Sequence, residues 1–94
     1  MELEQFMLRV YVSAHCLACR TAIQRTERLE ALRPEVPVTV VDVEAPDAVV
    51  PRKVIGTPIY MWNDRVVFMG NPSEQELLDR VTVLHYDSER ERSG

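Results

Sequence analysis

Cysteine, glycine and lysine are all scarce in this chain of 94 residues, which has two cysteines, three glycines and one lysine. Two cysteines cannot form a disulfide scaffold, and three scattered glycines provide no phosphate-binding loop. No apolar run is long enough to span a membrane, and the segment from Met1 to Glu4 is not a basic, apolar leader. We therefore expect no membrane partner and a cytoplasmic location.

The charge balance argues against another class of function. The net charge is −4 and the pI is near 5.1, whereas nucleic-acid binding requires clustered cations that release counterions from the phosphates. Ten of the eleven cations are arginines, spread along the first predicted helix and the tail. We therefore expect no nucleic-acid partner.

Length and composition predict one domain. With 46% apolar residues, a chain of this size can bury a single modest core. The last eight residues are polar or charged, a composition typical of a chain end without fixed structure. We predict one domain over residues 1–86 and a polar, disordered tail over residues 87–94.

The first half of the chain predicts a β-α-β unit. Residues 6–12 are rich in strand formers, and residues 16–32 carry apolar side chains on one helical face before Pro34 ends the helix. The valine-rich run over residues 36–43 is typical of a parallel strand covered on both faces. Because such crossovers are right-handed, we expect this strand to lie parallel and adjacent to the first.

The second half predicts a hairpin and a helix. Residues 44–57 fit either a short helix or a loop, since Pro51 interrupts the helical pattern. Strands at 59–62 and 66–69 flank Asn63-Asp64, which favours a tight turn. Asn71 as the cap, Pro72 at the first helical position and Glu74 at the third predict the start of the last helix.

The two cysteines lie where the first strand passes into the first helix, as Cys16-Leu17-Ala18-Cys19. A helix N-terminus carries partial positive charge and free amides, so the pKa of the Cys16 thiol should be lowered there. Cys19 lies one helical turn later, within reach of a disulfide formed on Cys16. By itself this spacing also fits the binding of a soft metal ion.

A second motif, Val54-Ile55-Gly56-Thr57-Pro58-Ile59, follows about forty residues later. Together with the cysteine pair and the element order, it resembles the thioredoxin and glutaredoxin superfamily over residues 8–83. The resemblance implies an α/β fold of the minimal thioredoxin type, β-α-β-(short α or loop)-β-β-α, with a mixed four-stranded sheet and helices on both faces. It implies no cofactor.

The resemblance also implies roles for individual residues. Cys16 would be the nucleophile and Cys19 the resolving thiol. Pro58 would follow a cis peptide bond and face the thiols, leaving the backbone of Thr57 free to pair with an extended substrate. His15, in its cationic form, would favour the Cys16 thiolate, although an exposed or packing histidine is an equally good interpretation.

Several positions depart from both subfamilies. Leu17-Ala18 is neither the glycine-proline of thioredoxins nor the proline-tyrosine of glutaredoxins, so the direction of the redox reaction is not implied. His15 replaces the thioredoxin tryptophan, and Val10 replaces the buried acid. Ser13 replaces the lysine with which glutaredoxins bind glutathione.

Three functions follow from these observations. The first is a thiol-disulfide oxidoreductase acting on disulfide-containing proteins or small thiol compounds, with a separate recycling reductase as partner. The second is a carrier of Cu(I) or Zn, because residues 15–19 and the following helix resemble heavy-metal-associated domains; those domains, however, end in a helix and a strand, and carry methionine where this chain has Ala14. The third is a redox-inactive binding module on the thioredoxin fold.

Overall fold

The computed structural model describes the backbone of residues 6–93 and the side chains of residues 6–91. Residues 1–5 and Gly94 lie outside this part, and with them the first residues of the predicted domain and the last of the predicted tail. The elements in chain order are β1 (Leu8–Val12), α1 (Leu17–Leu32), β2 (Val38–Asp42), β3 (Ile59–Trp62), β4 (Arg65–Met69) and α2 (Glu74–Ser93).

The four strands form one mixed sheet in the order β2-β1-β3-β4. β1 pairs with β2 in parallel and with β3 antiparallel, and β3 pairs antiparallel with β4. The predicted fold class, an α/β fold of the minimal thioredoxin type, is confirmed, as is the parallel placement of β2 beside β1.

Both helices lie on the same face of the sheet. Strand residues alternate between faces, and those of one set pack with buried residues of α1 and α2 in the main core: Leu8, Val10, Tyr60 and Trp62 with Cys19, Ala22, Leu29, Leu77 and Val81. The other face carries Tyr11, Ile59 and Met61, packed against Val41, Val43, Val54 and Val66. The expectation of helices on both faces is therefore corrected, because the described residues place loop rather than helix over the second face.

The position of β2 corrects a further expectation. β2 lies at the edge of the sheet, and Thr39, Val40 and Asp42 are exposed. Its valines therefore do not indicate a strand covered on both faces. Valine has a high strand propensity wherever the chain is extended, so composition alone does not separate an edge strand from a central one.

The segment between β2 and β3 forms successive turns and no helix. Backbone hydrogen bonds of 3.0–3.1 Å run from Ala45 N–H to Asp42 C=O, from Ala48 N–H to Ala45 C=O and from Val54 N–H to Pro51 C=O. The sequence fits either a short helix or a loop over residues 44–57, and the structure shows the loop.

The predicted hairpin is present, with Asn63-Asp64 between the strands β3 and β4. Asn63 has a φ of 54°, a left-handed conformation that asparagine tolerates better than most residues. Its side-chain oxygen also accepts a 2.9 Å hydrogen bond from the Met7 N–H. This hydrogen bond joins the hairpin turn to the residue directly before β1.

Helix α2 begins two residues later than the sequence predicts. Ser73 is the capping residue: its hydroxyl oxygen accepts from the Glu76 N–H at 3.0 Å, and the Glu76 carboxylate accepts from the Ser73 N–H at 2.8 Å. This reciprocal pair is a capping box. These hydrogen bonds from Ser73 lower the pKa of the Glu76 carboxyl.

The same helix extends to Ser93, whereas the polar composition predicts a disordered tail from residue 87. Ser88 is buried; its hydroxyl accepts from the Trp62 indole N–H at 3.3 Å and donates to the Leu84 C=O at 2.8 Å. The contact between Ser88 and Trp62 packs the last turns of α2 against β3. The polar composition of this segment gives no indication of it. No helix in the described part of the chain is long and apolar enough to cross a membrane.

The capping box predicts a measurable loss of stability. Ser73→Ala removes the acceptor of the Glu76 N–H and should lower the free energy of unfolding by about 1 kcal/mol in urea denaturation at pH 7. Thr82→Ala is the control for the loss of a hydroxyl within the same helix. The exposed Thr82 hydroxyl donates to the Leu78 C=O at 2.7 Å and accepts from the Arg33 guanidinium at 3.4 Å, and neither bond caps the start of α2. Equal losses from the two substitutions would contradict the assignment.

The pH dependence of this cap has a definite sign. A lowered carboxyl pKa stabilises the fold above the ordinary glutamate pKa of about 4.3, and the contribution disappears as the pH falls through the lowered value. Glu76→Gln should therefore destabilise the protein at pH 7, and this destabilisation should shrink as the pH is lowered below the ordinary glutamate pKa, measured by the same denaturation curves. An effect of the same size above and below that pKa would show that the carboxylate charge is not involved.

Candidate functional site

Cys16 occupies the capping position of α1 and has an extended backbone, with φ of −109° and ψ of 112°. Its side chain makes no capping hydrogen bond. The backbone C=O of Cys16 accepts instead from the Cys19 N–H at 3.1 Å. The half-buried thiol therefore lies at the N-terminus of α1 without capping it.

Cys19 lies on the inner side of α1 and is 2% exposed. Its sulfur accepts a 3.4 Å hydrogen bond from the backbone N–H of Ser13. Both cysteines are free thiols. The pair therefore combines a partly accessible thiol with a buried one.

Thr57 lies directly beside Cys16. Because β3 runs antiparallel to β1, the residues before β3 come next to the residues after β1. The Cys16 thiol donates to the Thr57 C=O at 3.6 Å, and the Thr57 hydroxyl lies 3.3 Å from the Ser13 hydroxyl. The two predicted motifs are thus brought together, although they are separated by about forty residues of sequence.

Pro58 is buried behind this contact, and the Thr57-Pro58 peptide bond is cis. The Pro58 C=O accepts a hydrogen bond from the Gly70 N–H at 2.9 Å. Gly70 has a φ of 86°, a conformation that L side chains rarely adopt. The backbone at the end of β4 thus holds the start of β3 in place beside the thiols.

The two thiols differ in acidity. The pKa of Cys16 is lowered, first by a hydrogen bond with the Cys19 side chain and further by the Thr57 side chain and the amides of Cys19 and Ala18, against an opposing effect of burial. The pKa of Cys19 is raised, first by burial and then by its interaction with Cys16. The accessible sulfur is therefore the more acidic of the two thiols, and the buried sulfur is the less acidic.

Asn71 connects this site to the sheet, although the sequence assigns it to a helix cap. Its side-chain oxygen accepts from the Tyr60 hydroxyl at 2.8 Å, and its side-chain nitrogen donates to the Ala18 C=O at 2.7 Å. Burial raises the pKa of Tyr60 to about 12. This phenol therefore remains a donor at neutral pH and fixes the orientation of the amide.

Ser13 and Glu44 also help to hold the segment around the two cysteines in place, which the sequence does not indicate. Ser13 contacts both Cys19 and Thr57. The Glu44 carboxylate accepts from the Ala14 N–H at 3.1 Å, and the Glu44 N–H donates to the Asp42 carboxylate at 2.9 Å. The end of β2 thus holds the turn that precedes Cys16, an arrangement that no local sequence pattern could reveal.

Two exposed apolar side chains lie close in sequence to the site residues. Leu17 is 88% exposed and Ile55 is 77% exposed, the one following Cys16 and the other preceding Gly56-Thr57. His15 is exposed, and no hydrogen bond joins it to either thiol. In the part of the chain that the structure describes, no group of three or more histidine, cysteine, aspartate or glutamate side chains could hold a metal ion.

Fold and site together define a thioredoxin-like domain with a Cys-x-x-Cys pair. The chain belongs to the thioredoxin domain family, whose model matches residues 7–82 and so includes both cysteines and Thr57-Pro58. Neither the curated proteins nor the solved structures gave a match. A thioredoxin-like domain with these two cysteines is compatible with a redox function.

The unequal acidity of the thiols can be measured. Alkylation of reduced protein by iodoacetamide over a range of pH should report a Cys16 pKa below the ordinary thiol value of about 8.5. Cys19→Ala removes the largest contribution to that shift and should raise the midpoint, whereas Cys19→Ser keeps a hydroxyl donor and should raise it less. A midpoint that is the same in all three proteins would exclude Cys19 as the donor.

The Asn71 bridge predicts a stability difference between matched variants. Asn71→Ala removes two hydrogen bonds that each contribute about 1 kcal/mol, so it should destabilise the fold more than Tyr60→Phe, which removes one. Asn71→Asp keeps an acceptor for Tyr60 but cannot donate to Ala18, and it adds a negative charge at the thiol end of α1. It should therefore raise the Cys16 pKa in the alkylation assay, and an unchanged pKa would contradict that prediction.

Proposed function

We propose that this protein is a thiol-disulfide oxidoreductase that reduces or exchanges disulfides in protein or small-molecule substrates. The observation that carries the proposal is the division between two thiols one helical turn apart: Cys16 is partly accessible and lies 3.6 Å from the Thr57 C=O, whereas Cys19 is buried. The pKa values of the two thiols shift in opposite directions, in agreement with this division. Such a division suits one sulfur to attack and the other to resolve.

In the proposed reaction, the Cys16 thiolate attacks one sulfur of a substrate disulfide. A Cys16–substrate disulfide forms, the substrate S–S bond breaks, and the other substrate sulfur leaves as a thiolate that takes up a proton. Cys19 then loses its proton and attacks the Cys16 sulfur. The Cys16–Cys19 disulfide forms, and the second substrate sulfur leaves reduced, so two electrons pass from the protein to the substrate.

The backbone of Thr57 is proposed to position the substrate. Its C=O lies 3.6 Å from the reacting sulfur, where an extended peptide could pair as an added strand. The exposed side chains of Leu17 and Ile55 would cover apolar residues that flank the substrate cysteine. His15, next to Cys16 in sequence, is proposed as a further contact on this surface.

The remaining parts of the proposal concern partners and location. A reaction that ends in a Cys16–Cys19 disulfide needs a recycling reductase, which itself becomes oxidised. A reducing compartment such as the cytoplasm supplies such a partner and keeps the two thiols free. There the protein would contribute to cell redox homeostasis, without a nucleic-acid or membrane partner and without a bound cofactor.

Two variants test the proposal. The wild type should reduce insulin disulfides in the presence of dithiothreitol, and Cys16→Ser should lower the rate to the background without protein. Cys19→Ser, incubated with insulin in the absence of dithiothreitol, should stop after the first step and accumulate one substrate-linked adduct per chain, detected by mass spectrometry. Arg80→Gln, an exposed substitution on α2, is the control and should keep the wild-type rate.

Other outcomes would support the alternatives from the sequence. Full turnover by Cys16→Ser would exclude this cysteine as the nucleophile. A wild type that lacks turnover but retains one Cu(I) or Zn ion per chain through purification would be a metal carrier. Thiols without turnover or metal, in a protein that holds a partner in the presence of reductant, would identify a binding module.

A further inference from the structure

A cavity of about 470 Å³ lies on the face of the sheet that carries no helix. Its lining comes from β1 and β3, from residues 49–53 of the long loop and from the hairpin turn, and it includes neither the cysteines nor Thr57. Volumes of this size are typical of sites for small molecules. The cavity exists because turns, rather than a helix, cover this face.

The floor and one wall of the cavity are apolar. Tyr11 and Met61, both almost fully buried, belong to the two central strands, and Pro51 and Val49 come from the loop above them. Val49 is 85% exposed although it lines the cavity. A ligand that covers Val49 together with the apolar floor would remove apolar surface from water, which is energetically favourable.

Cations are concentrated around this apolar floor, in a protein whose net charge is −4. Arg9, Arg52 and Lys53 line the cavity, together with the single carboxylate of Asp64. The Lys53 ammonium donates to the Asp64 backbone C=O at 2.6 Å and closes the hairpin end. Two guanidinium groups therefore remain to receive an anion.

Arg9 is the more informative of the two. It lies on the central strand β1, is half-buried, and pairs in register with Met61. Within residues 6–91, no other side chain or carbonyl forms a hydrogen bond or an ion pair with its guanidinium. The guanidinium therefore has no counterion among these residues, and its planar donors are available to an anion that enters the cavity.

We propose that the cavity binds a small monocarboxylic acid with an apolar body. The carboxylate lies against the Arg9 guanidinium, whose parallel N–H donors match its two oxygens, and Arg52 adds a second positive charge at the mouth. The hydrocarbon part covers Tyr11, Met61 and Val49. One central guanidinium above an apolar floor suits such a monoanion better than a phosphate, which is usually received by several backbone N–H groups.

The proposal is tested with octanoate and its uncharged analogue octanamide. In NMR titrations of the ¹⁵N-labelled full chain, octanoate should shift the amide signals of Arg9, Tyr11, Met61 and residues 49–53. Octanamide should bind at least tenfold more weakly. Arg9→Gln should weaken octanoate binding at least tenfold, to the level of octanamide, and leave octanamide binding unchanged.

Two control variants show whether the binding belongs to this cavity. Arg80→Gln removes an exposed cation from α2 and should bind octanoate like the wild type. Cys16→Ser should also bind like the wild type, so a failure of the proposed disulfide exchange would leave the cavity unaffected. If Arg9→Gln does not fold, the comparison of octanoate with octanamide on the wild type, and the effect of Arg52→Gln, decide the question.

Three results would overturn the proposal. Octanoate could fail to shift any signal at millimolar concentration, or could bind no more tightly than octanamide. It could also shift signals only on the helical face. Each result would show that Arg9 does not receive a carboxylate in this cavity.

Discussion

The antiparallel pairing of β1 with β3 is the constraint on which both sites depend. Its register sets Tyr11 opposite Ile59 and Leu8 opposite Trp62. The residues before β3 therefore meet the residues after β1, and Thr57 comes into contact with Cys16. A shift of one residue would turn every side chain of one strand to the opposite face, so the site and the core are specified by the same hydrogen bonds.

This register also separates the two faces of the sheet by chemistry. The face under the helices receives Val10, Tyr60 and Trp62, and the polar ends of the two aromatic side chains find partners in Asn71 and Ser88. The other face receives Arg9, Tyr11 and Met61 beneath a loop. The proposed disulfide chemistry and the proposed carboxylate site thus lie on different surfaces of one thin sheet and can be tested independently.

Much of the fold could be predicted because local signals agree with tertiary structure. The strands, the first helix and the turn at Asn63-Asp64 follow from local patterns that packing does not override. The meeting of Cys16 with Thr57 is instead what the resemblance to the thioredoxin superfamily implies, through a third strand antiparallel to the first. The start of α2 could not be predicted, because Asn71 and Ser73 are both good capping residues. Only the distant Tyr60 hydroxyl and Ala18 carbonyl show that Asn71 is used elsewhere.

Other features could not be predicted because they depend on contacts between distant residues. The last turns of α2 are as polar as a disordered tail, and only the buried contact of Ser88 with Trp62 distinguishes them. Arg9 alternates with apolar residues like any solvent-facing strand residue, so nothing local indicates a half-buried cation. Ser13 stands out in the sequence only as a missing lysine, whereas its amide and hydroxyl contact Cys19 and Thr57.

The thiol site uses neutral donors where thioredoxins have a buried acid, since Val10 occupies that position in the core. The pKa of Cys16 is lowered chiefly by the Cys19 side chain, and the pKa of Cys19 is raised in part by Cys16 itself. This dependence is mutual and therefore changes during the proposed reaction. Once Cys16 is joined to a substrate, it carries no negative charge and no longer needs a donor from Cys19. Two of the causes that raise the pKa of Cys19 then disappear, while the Ser13 N–H remains to stabilise its thiolate. In the proposed reaction, the first step would therefore remove part of what raises the pKa of Cys19, while burial, the largest cause, remains.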